Sequence, residues 1–334
     1  MAHFVETMAY SGAPPWHTLG NPVDNNLTVD EMLVAAGLDW EVRKLPLYSP
    51  WEADKDGLIH MQRAHGECGL WRVSDKKLLS RVGDDWQENQ NRDVINFFRE
   101  FVEAGNMQME TAGSLKDGKF VWCLAKLDKD FELVTGDNVG GYVLLCSPHA
   151  YGFRFTIQVT GIRVVCWNTL TWSVQSGPLA GTQAFRMTHA RKFDDEAKEE
   201  AKKTIGLAKQ KFEWLHEISE KLAACRVNYE ERIDYFKRVA QIEEVVEVDG
   251  EDSSNDDELP RIVRKFESAL QDAPGAELIS ARDTAWGLVN AVTYTVDHDL
   301  GRSRDTGLYN SWFGTNRSMK QRAVEYALEM ADAS

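Results

Sequence analysis

Two sets of residues have the types and spacing to do chemistry. The first is cationic and aromatic: Tyr151-Gly152-Phe153-Arg154, then Arg163, then Phe185-Arg186-Met187-Thr188-His189-Ala190-Arg191-Lys192. Cations neutralise phosphates and aromatic faces stack on bases, so this interleaving is the composition of a surface for single-stranded nucleic acid. On that reading Arg154, Arg163, Arg186, His189, Arg191 and Lys192 meet phosphate, and Tyr151 and Phe153 offer stacking surfaces. The same residue types also build cores and ion pairs, and the sequence leaves both uses open. The second set is polar: Cys166, His149 and Asn168 are the types of a thiol nucleophile, its base and the group that orients it. Cys166 sits in Val164-Val165-Cys166-Trp167, where a small buried hydrophobe is the ordinary reading. His149, Asn168 and Thr169 also suit the wall of a pocket for a nucleotide or another small molecule.

Other chemistry finds little footing. The chain has no G-x-S-x-G elbow, no phosphate-binding G-x-x-x-x-G-K, no G-x-G-x-x-G and no H-E-x-x-H. Cys146-x-x-His149 and His65-x-x-Cys68 have ligand-like gaps, but neither is followed by a second pair. We therefore expect neither a metal nor a cofactor, and binding rather than catalysis. The five cysteines are odd in number and lack any C-x-x-C, which predicts reduced, buried thiols.

The elements that must position these residues are legible in the periodicity. From Gly141 to Val174 runs the densest apolar and β-branched stretch, predicting strands over 142–146, 153–159 and 161–172, with a loop at 147–152 and a bulge at Thr160-Gly161. Residues 1–27 read as an N-terminal loop pinned by Trp16. Thr28-x-x-Glu31 is a capping box that opens a short helix stopped by Gly37. A strand over 38–48, a polar insertion and a hairpin over 69–82 follow. Val94, Phe97, Phe98, Phe101 and Val102 then form one helical stripe that stops at Gly105. A second hairpin joins 107–115 to 120–127 through Lys116-Asp117-Gly118-Lys119. Beyond Pro178 the pattern turns helical. Ile205, Ala208, Phe212, Leu215, Ile218 and Leu222 predict one long helix from after Asp194 to about Ala224, with further helices near 229–242, 261–270, 284–296 and 318–330. The fold class is α+β: an antiparallel sheet of hairpins with flanking helices over 1–178, and a mainly helical region over 179–334.

At 334 residues and 43% hydrophobic content there is ample material for a core, and no apolar run is long enough to span a bilayer. The start lacks a basic segment followed by an apolar one, so the expected location is the cytoplasm, with no membrane partner. The net charge of −15 opposes indiscriminate adhesion to polyanions. About half of it is concentrated in Glu247 to Glu258, which holds seven carboxylates and no base and reads as a flexible loop over 247–259. A local basic surface is compatible with the remainder.

Several segments carry a resemblance. Pro15-Trp16-His17-x-Leu19-Gly20, Glu110-Thr111-Ala112-Gly113-Ser114-Leu115, Val164-Val165-Cys166-x-Asn168-Thr169-Leu170, Thr284-Ala285-Trp286-Gly287 with Asp297-His298, and Ser311-Trp312-Phe313-Gly314 with Lys320-Gln321-Arg322-Ala323 resemble the phage and plasmid-like proteins that share a domain of unknown function. The chain departs from those relatives at Ser147-Pro148-His149-Ala150 and Thr160-Gly161-Ile162. The resemblance implies a mobile-element origin. The order helix, three strands, helix from Thr28 to Gly105 is in turn similar to Rad-type single-strand annealing proteins. That likeness implies a homo-oligomer, a ring among such proteins, holding single-stranded DNA by its backbone. Two rivals stand beside this expectation: an enzyme or sensor for a nucleotide or defence-related small molecule, and a helical protein that interacts through an exposed seam from Ile205 to Leu222.

Overall fold

The computed structural model describes residues 5–12, 20–24, 27–53, 57, 59–104, 107–163, 168–170, 184–242, 259–300 and 315–333. It is a mixed α+β structure, with mostly antiparallel strands in the N-terminal half and helices in the C-terminal half. The strands are β1 (Val5–Ser11), β2 (Asn21–Val23), β3 (Val42–Ala53), β4 (Ile59–Arg72), β5 (Lys77–Gly83), β6 (Met107–Leu115), β7 (Phe120–Glu132), β8 (Asn138–Pro148), β9 (Phe155–Arg163), β10 (Asn168–Leu170) and β11 (Ala184–Met187). The large sheet is ordered β10-β9-β8-β7-β6-β1-β2, with β11 also paired to β9, and β3-β4-β5 make a small sheet. The helices are α1 (Val29–Ala35), α2 (Asn91–Asn96), α3 (Arg99–Glu103), α4 (Asp195–Gly206), α5 (Ala208–Ala224), α6 (Tyr229–Ala240), α7 (Arg261–Asp272), α8 (Ala285–Tyr294), continued by a π-helical turn Thr295–Asp299, and α9 (Thr315–Ala333). None of the described helices is long and apolar enough to cross a membrane.

The local chemistry accounts for these boundaries. Thr28 Oγ1 accepts from the Glu31 amide while the Glu31 carboxylate accepts from the Thr28 amide, closing the expected capping box. Gly37 at φ +64° stops α1 against the Thr7 side chain, where a Cβ would sit 3.2 Å from Thr7 Cγ2. The β6–β7 turn holds Lys116, Asp117 and Gly118 at φ 51°, 61° and 84°.

Several expectations need correction. Part of the supposed N-terminal loop is β1, which lies between β6 and a parallel β2, so the sheet is not wholly antiparallel. The polar insertion before Gly69 belongs to a long, exposed β3–β4 ribbon; its side chains are solvated on both faces, which removes the alternation that marks a half-buried strand. The apolar stripe at 94–102 is divided into α2 and α3 by two residues, where the Phe98 and Phe101 amides bond three residues back, to Ile95 and Phe98. β9 runs unbroken through Thr160-Gly161. The long helix is two, α4 and α5, separated at Leu207 after Gly206, a residue that favours neither helix continuation nor packing. Trp16, Gly105, Cys166 and the acidic segment 247–258 lie outside the described residues.

The residues form two compact units, one from 1–128, 142–159 and 182–208, the other from 129–141, 160–181 and 209–334. In the first unit, Met32 and Leu33 of α1, Val94, Ile95 and Phe98, and Ala197, Ala201 and Ile205 of α4 share a core with Val121, Cys123, Val143, Leu145, Phe155 and Ile157 of the strands. The second unit buries Phe212, Leu215, Ile218 and Leu222 of α5 with Tyr235, Phe236, Phe266, Trp286 and Val289. The seam from Ile205 to Leu222 is therefore covered by its own chain, which removes the exposed interaction seam. Cys68, Cys123, Cys146 and Cys225 are buried, as the sequence predicts.

Candidate functional site

Two groups of side chains in the first unit answer to the expectations. The exposed group is carried by β9 and β11. In their antiparallel register Thr156 faces Arg186 and Phe155 faces Met187. Phe155, Ile157, Phe185 and Met187 are buried, so by strand alternation Arg154, Thr156 and Arg186 share the outward face. Arg154 immediately precedes β9, and Arg186 lies opposite Thr156, two residues further along. Neither has a carboxylate partner among the described residues. Tyr151 is 70% exposed in the turn that leads to β9, with its amide donating to Ser80 Oγ at 3.1 Å. Lys192 is exposed beyond the end of β11.

Other members of the expected set are elsewhere. Phe153 packs edge-on against Phe120 at 4.8 Å, and only part of it reaches solvent. Arg191 is held by Glu196 and Glu200 at 3.5 and 2.9 Å. His189 is buried, 3% exposed, where the phosphate role expected an exposed side chain. Arg163 closes β9 opposite Asn168, and Thr169 faces Ile162; the side chains of Arg163, Asn168 and Thr169 lie outside the described residues. Among the described residues the partners of the His149 side chain are Asn91 and Trp40.

That second, buried group is built on Gln87-Glu88-Asn89-Gln90-Asn91. The Gln90 side-chain amide accepts from the Val42 amide at 2.9 Å and donates to the Val42 carbonyl at 2.8 Å, imitating a neighbouring strand. Asn91 Nδ2 donates to the Leu38 and Trp40 carbonyls, which turns its Oδ1 toward His149 Nε2, 2.8 Å away. An amide oxygen only accepts, so His149 carries its proton on Nε2. Burial lowers the His149 imidazole to about 3, with a smaller push from His189, and keeps it neutral. His189 lies flat on Trp86, with ring centres 4.0 Å apart, and donates from Nδ1 to the Gln87 carbonyl at 3.2 Å. Burial lowers it to about 4, against the opposing effect of that bond. Its Nε2 has no partner among the described residues, and the same holds for Asn89 Nδ2 and Ser147 Oγ. Ser147 lies two residues before His149 and continues the row of Val143 and Leu145, facing the same side of the sheet. Beside this cluster a cleft of about 360 Å³ is lined by Gln87, Glu88, Asn89, Gln90, Asp93, Val94, Lys192 and Phe193.

Sequence reasoning missed the amide run. The signal was present as five consecutive hydrogen-bonding side chains immediately before an apolar stripe, a pattern that suits residues standing in for backbone partners at a junction.

Residues 78–324 match the model of a family described as a domain of unknown function, DUF932. No curated protein and no solved structure matches the chain.

Proposed function

The chain belongs to the DUF932 family, and we propose that it binds single-stranded DNA, as a mobile-element protein that anneals or protects strands and works as a homo-oligomer. The observation that supports this reading is the outward pair Arg154 and Arg186, cations without acidic partners among the described residues, in a chain whose net charge is −15. Acidic residues dominate this protein, and neighbouring Arg191 is already paired. Two guanidiniums left open to solvent beside the exposed Tyr151 supply a phosphate contact and a stacking face together.

Self-association finds a surface in the β3–β4 ribbon. There Leu45, Tyr48, Trp51, Ile59 and Met61 are all about half exposed or more, and β3 is an open sheet edge.

Titration of a labelled single strand tests the reading. Arg154→Ala is expected to weaken binding across all sequences and to lower the slope of log affinity against log salt by about 0.7. Arg191→Ala, whose cation is already neutralised by two glutamates, is expected to change affinity less than Arg154→Ala does. Equal losses at the two positions would contradict the assignment of the open face.

A further inference from the structure

The end of the large sheet that bears Tyr151 also bears lysines. Lys116-Asp117-Gly118-Lys119 joins β6 to β7, and Val73-Ser74-Asp75-Lys76 joins β4 to β5, whose first residue is Lys77. The two hairpins touch here, because Lys77 Nζ lies 3.2 Å from the Asp117 carboxylate. That contact neutralises Asp117, and Glu6 and Asp75 are both held by Arg72, at 2.8 and 2.6 Å. Lys76 is exposed, and neither it nor Lys119 has a carboxylate partner among the described residues. Lys116 stands beside Lys119: desolvation, and after it the Lys119 ammonium, lower the Lys116 ammonium from its ordinary range. These lysines outweigh the one carboxylate that Arg72 leaves in excess, in a chain whose net charge is −15.

Aromatic side chains connect the lysines to the arginine face. Lys116 Nζ lies over the Phe120 ring at 5.8 Å, and Phe120 packs edge-on against Phe153, the residue before Arg154. The His149 amide donates to the Lys119 carbonyl at 2.7 Å and the Tyr151 amide to Ser80 Oγ of β5, so the segment that carries Tyr151 is tied to both hairpins. Exposed Tyr151 thus stands where the lysine turns meet the strand that Arg154 precedes. Two ammoniums held together by a tight turn weaken each other's charged form, and an anion beside them favours both. Lysine binds phosphate as a point charge, and cations interleaved with aromatic rings are the composition that tracks a single strand.

We propose that Lys116 and Lys119, with Lys76 of the adjoining turn, form a second phosphate site. A single strand lying on Arg154 and Arg186 passes Tyr151 and places its next phosphates on these lysines, a case that rests on the proposed DNA binding. A free polyphosphate meets the same ammoniums.

The experiment compares the full chain with Lys116→Gln/Lys119→Gln and with Lys116→Arg/Lys119→Arg, which keeps both charges. A control, Lys198→Gln/Lys203→Gln, removes two charges from α4 instead. In one arm tripolyphosphate is followed by phosphorus NMR at low salt. In the other a labelled single strand of about a dozen nucleotides is titrated across a range of salt. The parent is expected to broaden the tripolyphosphate signals and to bind the strand. Lys116→Gln/Lys119→Gln is expected to lose the broadening and to lower the slope of log affinity against log salt by about 1.4, for two phosphate contacts removed. The arginine variant should keep both responses, and the α4 variant should behave as the parent does. Should the glutamine pair fail to fold, Lys76→Gln and Lys119→Gln carry the test singly, each with a slope lower by about 0.7. Tripolyphosphate binding that depends on these lysines, without strand binding, upholds the site and removes the DNA reading. Strand binding with that dependence and no tripolyphosphate signal upholds the site for the strand alone. Glutamine variants that bind as the parent does in both arms, or no more weakly than the α4 variant, overturn the site, and strand binding that still falls with Arg154→Ala then leaves the DNA reading standing. A parent that binds neither probe overturns both.

Discussion

Asp297→Asn is expected to destabilise the second unit by about 3–5 kcal/mol, the cost of leaving a buried charge without its counter-ion. Lys320 of α9 pairs with Asp297 in the π-helical turn, and the two side chains are 3% and 6% exposed. Burial pulls the Lys320 ammonium below its ordinary range while Asp297 works the other way, so the carboxylate is what keeps the charge tolerable. Without Asp297 the folded protein favours neutral lysine more strongly. The unfolded chain then binds the proton more tightly than the folded one, and the deficit should shrink as the pH rises toward 10.5. Replacing both members, Lys320→Met with Asp297→Leu, should recover most of the loss, because a well-packed apolar pair needs no desolvation of charge. Urea unfolding followed by tryptophan fluorescence measures both variants. An unchanged midpoint for Asp297→Asn would mean that the pair is not buried in solution.

The second large effect is in acid. His149 and His189 titrate at about 3 and 4 in the folded chain, below their ordinary value of 6.5. As the pH falls, the unfolded chain takes up protons first, so the folded state is favoured in full above pH 6.5 and loses ground below it. The loss continues down to about pH 4 for His189 and pH 3 for His149. At pH 5 each imidazole costs about 2 kcal/mol relative to neutral pH. His149→Gln keeps a donor for Asn91 Oδ1 and cannot take a charge, so it should be less stable than the parent at pH 7.5 or equal to it, and more stable by comparison at pH 5. Parallel stability curves for the two proteins between pH 7.5 and 5 would contradict the neutral, buried assignment.

How much of this was readable beforehand depends on whether the deciding interactions were local. The capping box at Thr28 and Glu31, and the Asp117-Gly118 turn with the hairpin of β6 and β7 that it joins, are set by neighbours within a few residues, and all were legible. β1 was not, because Val5–Ser11 is a strand through its pairing with β6, a partner about a hundred residues away. The β3–β4 ribbon escaped for the opposite reason: with no face to bury, its sequence has no reason to alternate. The break between α4 and α5 separates two helical segments with buried faces in different cores, and periodicity alone joins them. At the candidate site Arg154, Arg186, Tyr151 and Lys192 lie in solvent, one of the two uses that the composition left open. The burial of His189 was not legible because its surroundings are set by Trp86 and Gln87, which are distant in sequence. The amide cluster was missed because Gln and Asn carry no periodic signature, and their bonds to Val42, Leu38 and His149 appear only once the chain is folded.

The central claim is that the outward face of β9 and β11 holds single-stranded DNA. Its most direct test is equilibrium titration of a labelled single strand, at low and at moderate salt, against the parent protein and Arg154→Ala/Arg186→Ala. The account predicts binding that weakens with salt, and a loss of about tenfold or more in the double variant whatever the base sequence. Absence of binding at both salt concentrations, or a double variant that binds as tightly as the parent, would contradict it.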